Sequence, residues 1–143
     1  MSTLEVRAET LVPGKARGAP LKLDEPLSFW GGFDPKTGLV IDRMHPQRGA
    51  LVAGHVLMMA AGRGSSSGSA ALAEAIRLGT APAAILLLER DAIVIVGAMV
   101  AVELYGATCP VALVGARNWL HLGEAKVLSV TADASGAAVK IES

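Results

Sequence analysis

The chain has 143 residues, a length typical of a single domain. Its 13 Lys and Arg residues balance 13 Asp and Glu residues, which disfavours nucleic acid as a partner because phosphate binding needs a basic surplus. Charged residues make up 18% and apolar residues 52% of the chain, so an intrinsically disordered protein is excluded. With Cys109 as the one cysteine, we expect neither a disulfide framework nor a metal site in this chain.

The sequence also lacks the patterns of targeting to or across a membrane. The N-terminus has no basic region followed by an apolar stretch, so we expect no secretory signal. The longest apolar stretch, residues 92–104, contains Glu103 and is shorter than the roughly 20 residues that cross a bilayer. We therefore expect a cytoplasmic protein with no membrane partner, folded as one domain over residues 1–143.

The first third of the chain has the patterns of β structure. Leu4, Val6 and Ala8 alternate with charged residues, as in a half-buried strand. Further on, residues 26–30 and 39–42 flank a glycine-rich turn, which predicts a hairpin.

From residue 52 the periodicity changes. Residues 52–60 are almost continuously apolar, which predicts a strand covered on both faces. Apolar residues at helical spacing over residues 71–78 predict a helix that ends at Gly79. Residues 84–88 and 111–114 predict two more buried strands.

Between those two strands, residues 92–104 predict a second helix with Asp91 as its N-cap, although the run of Ile and Val at 93–96 would suit a strand. Residues 89–91 are interpreted as a solvated connection. The tail, residues 126–130 and 137–141, predicts a closing hairpin. Strands alternating with helices imply parallel pairing, and the hairpins add antiparallel strands. The predicted fold class is therefore α/β with a mixed sheet.

The most unusual segment is residues 62–69 (GRGSSSGS), called the serine loop below. It lies between a predicted strand and a predicted helix, where open α/β sheets place ligands. Its glycines permit close approach of the backbone, and its serines and the helix N-terminus favour an anion. It matches neither a Walker A loop nor a dinucleotide fingerprint. From the residues alone, it is either a flexible linker with helix-capping serines or an anion-binding or catalytic turn.

The serine loop resembles that of the small, swivelling subunit of the aconitase X family. The similarity includes residues 30–38 (WGGFDPKTG), 41–42, 45–46 and 49. It continues downstream with residues 92–106 and 109–111, which match the family's next helix and strand in character. The resemblance implies a swivelling β/β/α fold with a barrel-like β layer. It also implies a large partner subunit, which would hold an iron–sulfur cluster and make most contacts with a small hydroxy-acid substrate.

The resemblance assigns roles within the serine loop. In ordinary aconitases the loop reads Gly-x-Gly-Ser-Ser-Arg and its first serine is the base, which by position is Ser65 here. Arg63, Gly64, Ser66 and Ser67 would then contact substrate. Ser67 stands where ordinary aconitases have arginine, so carboxylate binding by that arginine does not transfer. The resemblance implies dehydration of cis-3-hydroxy-L-proline or of phosphomevalonate, and the alanine-rich, lysine-poor composition favours the former.

The chemistry of a serine base points to a composite site. A helix N-terminus stabilises an anion by about 0.3–1 kcal/mol, less than the about 1.36 kcal/mol that shifts a pKa by one unit. Further donors or cations must come from the loop, from Arg63 or from the partner subunit. Arg63 could bind a carboxylate or could simply be a surface arginine. Two alternatives remain: an anion-binding module without turnover, and a structural partner of a larger chain.

Other polar residues are interpreted as structural. His45 is predicted to shape the polar bridge before Gly49, and His55 to be a satisfied histidine inside a core strand. Asp34 and Asp42 are predicted to cap turns, and Cys109 to be buried.

Overall fold

The computed structural model describes residues 4–142. Its strands are β1 (Leu4–Val12), β2 (Gly14–Gly18), β3 (Pro20–Lys22), β4 (Phe33–Asp34), β5 (Leu39–Val40), β6 (Val56–Met59), β7 (Ala84–Leu87), β8 (Val111–Leu113), β9 (Val127–Asp133) and β10 (Gly136–Glu142). Its α-helices are α1 (Ser67–Leu78), α2 (Ala92–Tyr105) and α3 (Trp119–Gly123), the last preceded by a 3-10 turn at Ala116–Asn118.

An eight-stranded mixed sheet in the order β2-β9-β10-β1-β8-β7-β6-β3 dominates the described residues. The run β8-β7-β6-β3 is parallel and the other pairs are antiparallel. Although β2 and β3 lie at opposite ends of this order, Ala19 alone separates them along the chain. The sheet must therefore curl until its edges nearly meet, and the Val56 amide donates to the Ala19 carbonyl at 2.9 Å. The barrel-like mixed sheet confirms the predicted α/β class.

Two hydrophobic cores lie on the two faces of the parallel strands. In β6, Val56 and Met58 belong to the core inside the curled sheet, whereas Leu57 and Met59 belong to the core under the helices. All four are completely buried, which explains why this strand is apolar at every position. The helix-side core is completed by apolar residues of α1 and α2, among them Leu72, Ala75, Ile76, Val94, Ala98 and Ala101.

Both predicted helices are confirmed, and both end where predicted, before Gly79 and Gly106; α1 begins at Ser67, four residues earlier than the periodic residues 71–78. Gly79 follows α1 with a φ of +81°, the left-handed conformation that glycine adopts at helix C-termini. Asp91 caps α2 by accepting from the Val94 amide at 3.1 Å. The predicted closing hairpin is the antiparallel pair β9 and β10.

Two strand predictions are wrong in extent. The strand predicted over residues 52–60 begins only at Val56, because Gly54 turns the chain with a φ of +76°. His55 consequently lies half-buried in a bend and not inside the strand. Residues 26–30 are not a strand, since the Gly32 amide donates to the Ser28 carbonyl in a turn. A hairpin does form here, but its first strand, β4, lies inside the predicted turn and pairs with β5, with Phe33 opposite Val40.

Candidate active site

The serine loop connects the end of β6 to the start of α1 and packs against the segment before β4. Gly64 has a φ of +104°, and a Cβ at this position would collide with the Ser28 hydroxyl. Ser28 is itself held because its Oγ donates to the Trp30 carbonyl at 2.8 Å. The loop thus lies at the carboxyl end of a parallel strand, where α/β sheets bind ligands.

Ser65 is exposed to solvent and caps α1. Its Oγ accepts from the Ser67 amide at 3.3 Å, and its carbonyl accepts from the Gly68 amide at 3.0 Å. Ser66 has helical dihedral angles and makes no side-chain cap bond. A hydroxyl that accepts an N–H bond at a helix N-terminus is better able to carry negative charge.

The remaining serines divide into two groups. Ser66 and Ser67 are exposed, so their hydroxyls face solvent rather than the protein core. The Ser69 hydroxyl instead donates to the Ile93 carbonyl at 2.7 Å. Ser69 therefore links the first turns of α1 and α2 and is not available to a ligand.

Arg63 faces two carboxylates without being hydrogen-bonded to either. Its guanidinium nitrogens lie 3.9 Å from Glu25 and 3.7 Å from Asp42, both beyond hydrogen-bond distance, and its side chain is 46% exposed. Its N–H groups thus remain free to bind a carboxylate in the bidentate geometry that arginine favours. One cation between two anions leaves a local charge of −1, which opposes an anionic ligand until further positive charge is supplied.

His45 shapes the polar bridge of residues 43–48, as predicted, and ties it to the backbone of Glu25. It is 3% exposed; its Nδ1 accepts from the Gln47 amide at 3.0 Å, and its Nε2 lies 3.0 Å from the Glu25 carbonyl. Since the Gln47 amide must donate to Nδ1, the ring proton is on Nε2, which donates a hydrogen bond to the backbone carbonyl of Glu25. Asp42 accepts from the Met44 amide at 2.9 Å, which confirms its role as a turn cap.

The described part of the chain does not fit an iron–sulfur cluster. Cys109 is buried and its Sγ donates to the Pro82 carbonyl at 3.4 Å, and burial raises the pKa of this thiol to about 12. Cluster ligation needs several thiolates. Among residues 4–142, no group of at least three His, Cys, Asp or Glu side chains is arranged to hold a metal ion.

Sequence reasoning missed the contacts that shape the loop from outside. The prediction that residues 89–91 form a solvated connection is wrong for Asp91, which is half-buried and accepts from the Gly62 amide at 2.8 Å. Ser28 and Glu25 were likewise not predicted as neighbours of the loop. Glu25 and Ser28 lie more than 30 residues from the loop residues they contact, and Asp91 lies 29 residues from Gly62. No local sequence pattern indicates contacts between residues so far apart.

The residues that form this site lie within a region of the chain that matches a known protein family. A model of the aconitase X swivel domain matches residues 5–141. The chain belongs to the aconitase X family, as a swivel domain.

Proteins of known activity show the same relationship. The chain is 51% identical over 108 residues to a cis-3-hydroxy-L-proline dehydratase of Pseudomonas aeruginosa, covering 76% of this chain and 19% of that protein. It is 44% identical over 98 residues to the phosphomevalonate dehydratase small subunit of Methanothermobacter thermautotrophicus, covering 68% of this chain and 75% of that one. The chain thus spans about a fifth of the length of the cis-3-hydroxy-L-proline dehydratases it matches.

Solved structures share the fold over its whole length. The crystal structure of Thermococcus kodakaraensis aconitase X in its holo-form superposes with a TM-score of 0.80 at 30% identity, covering 98% of this chain and 99% of that one. The solution NMR structure of a UPF0107 protein gives a TM-score of 0.77 at 28% identity, covering 98% and 100%. Within residues 4–142, no helix combines the length and the apolar character needed to cross a membrane.

Proposed function

We propose that this chain is the small subunit of an iron–sulfur hydro-lyase of the aconitase X type, which dehydrates cis-3-hydroxy-L-proline. The observation that carries the proposal is the serine loop itself. Ser65 and Arg63 are presented to solvent at the end of β6, in a domain 51% identical to part of a dehydratase of that substrate.

Ser65 is the general base of this proposal. Dehydration removes a proton from the carbon beside the carboxylate, while the hydroxyl on the adjacent carbon leaves and the double bond forms. Ser65 Oγ would receive the proton. The Ser67 amide and the N-terminus of α1 support negative charge on this oxygen, although they do not suffice alone.

Arg63, Gly64, Ser66 and Ser67 bind the substrate. Arg63 has N–H groups free for the substrate carboxylate, and the exposed hydroxyls of Ser66 and Ser67 can donate to its oxygens. Gly64 is exposed, so its backbone can face the substrate.

A large aconitase X subunit completes the site in the cytoplasm and holds the iron–sulfur cluster, which supplies Lewis-acid assistance to the departing hydroxyl when bound. Three features of the chain support such a partner. Ser65 is open to water, the Arg63 cluster has a net negative charge, and this chain's cysteine is not available as a ligand. A partner subunit could exclude water from Ser65 and add positive charge near Arg63.

An apolar rim beside the loop supports docking at this face. The rim consists of Trp30, Ile41 and Met44, which are 63%, 46% and 86% exposed. Trp30 is hydrogen-bonded to Ser28, which packs against Gly64 of the loop. Met44 is hydrogen-bonded to Asp42, which faces Arg63 of the loop. Because the loop and the rim are continuous, a large subunit that closes the site would also cover the rim.

The test is to co-purify the chain with the large aconitase X subunit of its source organism, without oxygen. The expected result is an iron-containing complex that dehydrates cis-3-hydroxy-L-proline, whereas either subunit alone does not. If the assembled, iron-loaded complex turns over neither this substrate nor phosphomevalonate, the proposed activity is wrong.

The second candidate is the small subunit of phosphomevalonate dehydratase, favoured by the 44% identity to that subunit in Methanothermobacter thermautotrophicus. Assaying both substrates with the same complex separates the two. If the isolated chain binds phosphate or a carboxylate tightly and assembles with no partner, an anion-binding module is supported instead. If serine-loop variants assemble and retain full activity, the chain is a structural partner.

A further inference from the structure

We infer that Asp91 is the positioning residue of the serine loop, an inference that rests on the proposed function of that loop. One carboxylate oxygen of Asp91 accepts from the Val94 amide at 3.1 Å and caps α2. The other accepts from the Gly62 amide at 2.8 Å, at the first residue of the loop. A single side chain thus joins the start of the loop to the start of a helix in the core.

The surrounding contacts make this junction tight. A Cβ at Gly62 would lie 2.8 Å from the Asp91 Oδ2, so the loop backbone sits directly against the carboxylate. The far end of the loop is held by the same helix, because the Ser69 hydroxyl donates to the Ile93 carbonyl at 2.7 Å. The two helices are also in close contact one turn further along α2, where a Cβ at Gly97 would lie only 2.8 Å from the Ser69 carbonyl oxygen.

The first turn of α2 therefore holds both ends of the loop, while Arg63 and Ser65 between them are exposed. The Ser65 hydroxyl is hydrogen-bonded within the loop, where it accepts from the Ser67 amide. The position of its oxygen consequently depends on how the loop ends are held. Asp91 has both carboxylate oxygens bonded to backbone amides and would act on the loop through the Gly62 amide.

Asp91→Asn separates this role from helix capping. Two amides donate to Asp91, and a carboxylate has an acceptor for each, whereas a carboxamide has one acceptor and one donor. Because Asn is as good an N-cap as Asp, its oxygen should stay on the Val94 amide. Its NH₂ group then faces the Gly62 N–H, donor against donor, and the loop moves away.

The first readout is hydrogen exchange of the Gly62 and Val94 amides by NMR, on the full chain. In Asp91→Asn we expect Gly62 to exchange about tenfold faster or more, because a charge-assisted hydrogen bond is lost. The exchange rate of the Val94 amide should change much less than that of the Gly62 amide. This readout does not depend on activity, so it decides the loop contact even if the proposed function fails.

The second readout is turnover in the complex with the large subunit. We expect kcat to fall roughly tenfold to a hundredfold with a smaller change in KM, since a displacement of about 1 Å has effects of this size. Asp133→Asn is the matched control. Asp133 accepts from the Ser135 amide in the β9–β10 turn, so its variant should keep wild-type turnover.

Two results would overturn the inference. One is wild-type exchange at Gly62 together with wild-type kcat in Asp91→Asn. The other is equal loss of protection at Val94 and Gly62, which would make Asp91 a helix cap only. An assembled wild-type complex without dehydratase activity would instead count against the proposed function and leave the exchange result standing.

Discussion

Gly64 shows how closely the serine loop depends on single residues. Its φ of +104° is strained for any residue with a side chain, and a Cβ would also strike the Ser28 hydroxyl. Gly49 has a similar φ of +91° but no atom within 4 Å of the Cβ position. The two glycines therefore differ in contact and not in backbone strain.

This pair gives a matched prediction. Gly49→Ala should lower the free energy of unfolding by about 1–2 kcal/mol through backbone strain alone. Gly64→Ala should lower it further and should also reduce turnover of the assembled enzyme, because the loop must move off Ser28. Urea unfolding and kinetic assays on both variants check this. Equal effects of the two substitutions on stability and turnover would show that the contact with Ser28 does not matter.

At this scale the sequence predicts residue types better than contacts. The capping roles of Asp42 and Asp91 follow from local spacing, and both are confirmed. The second contact of Asp91, with Gly62, joins residues 29 positions apart and has no local signature. Nor does the sequence reveal that Ser65 rather than Ser66 caps α1, since either serine could do so.

At the scale of elements, Glu142 joins three neighbouring strands at one end of the sheet. It lies on β10 and forms a bidentate ion pair with Arg17 of β2, at 2.9 and 3.0 Å, across β9. Ser129 of β9 donates to the same carboxylate at 2.8 Å. The hydrogen bonds from Arg17 and Ser129 lower the pKa of Glu142 from 4.5 to about 2.

This shift predicts the pH range in which the strands depend on Glu142. A carboxylate whose pKa is lower in the folded state stabilises that state above its ordinary pKa and ceases to do so as the pH falls. Glu142→Gln should therefore be less stable than wild type at pH 6, and the difference should shrink between pH 4.5 and about 2. Urea midpoints across this range test it. A difference that stays constant down to pH 2 would contradict the role of the charge.

The sequence predicts best those elements in which apolar residues recur with a regular spacing. The helical spacing before Gly79 and the apolar stretch after Asp91 correspond to α1 and α2. Residues 52–60 were predicted too long because an apolar run does not show that Gly54 turns the chain. The curling of the sheet could not be predicted from local sequence either. It follows from the long-range pairing of β2 with β9 and of β3 with β6, at opposite edges of the sheet.

At the scale of the whole molecule, the exposed apolar rim gives a prediction about assembly. Trp30→Gln should weaken binding of the large subunit by about tenfold or more, because exposed tryptophans beside a site often dominate an interface. Leu104→Gln is the control, since Leu104 is 66% exposed at the opposite end of α2 from Asp91. Affinities from calorimetry on the purified subunits test both.

The result expected from this pair is a loss of affinity in Trp30→Gln with Leu104→Gln close to wild type. The reverse outcome would place the interface on the exposed side of α2, where Val96 and Met99 also face solvent. In that case the rim beside the serine loop would not be the docking face.

The proposal as a whole depends on one atom, the hydroxyl oxygen of Ser65. The most direct measurement is kcat of the assembled complex with Ser65→Ala and, as the control, Ser66→Ala. Loss of the base should reduce kcat by about 10²–10⁴-fold in Ser65→Ala, and Ser66→Ala should affect mainly KM. Because Ser65 also caps α1, its variant should lose about 0.5–2 kcal/mol of stability, so assembly is checked by gel filtration. If assembled Ser65→Ala turns over as fast as wild type, Ser65 is not the base.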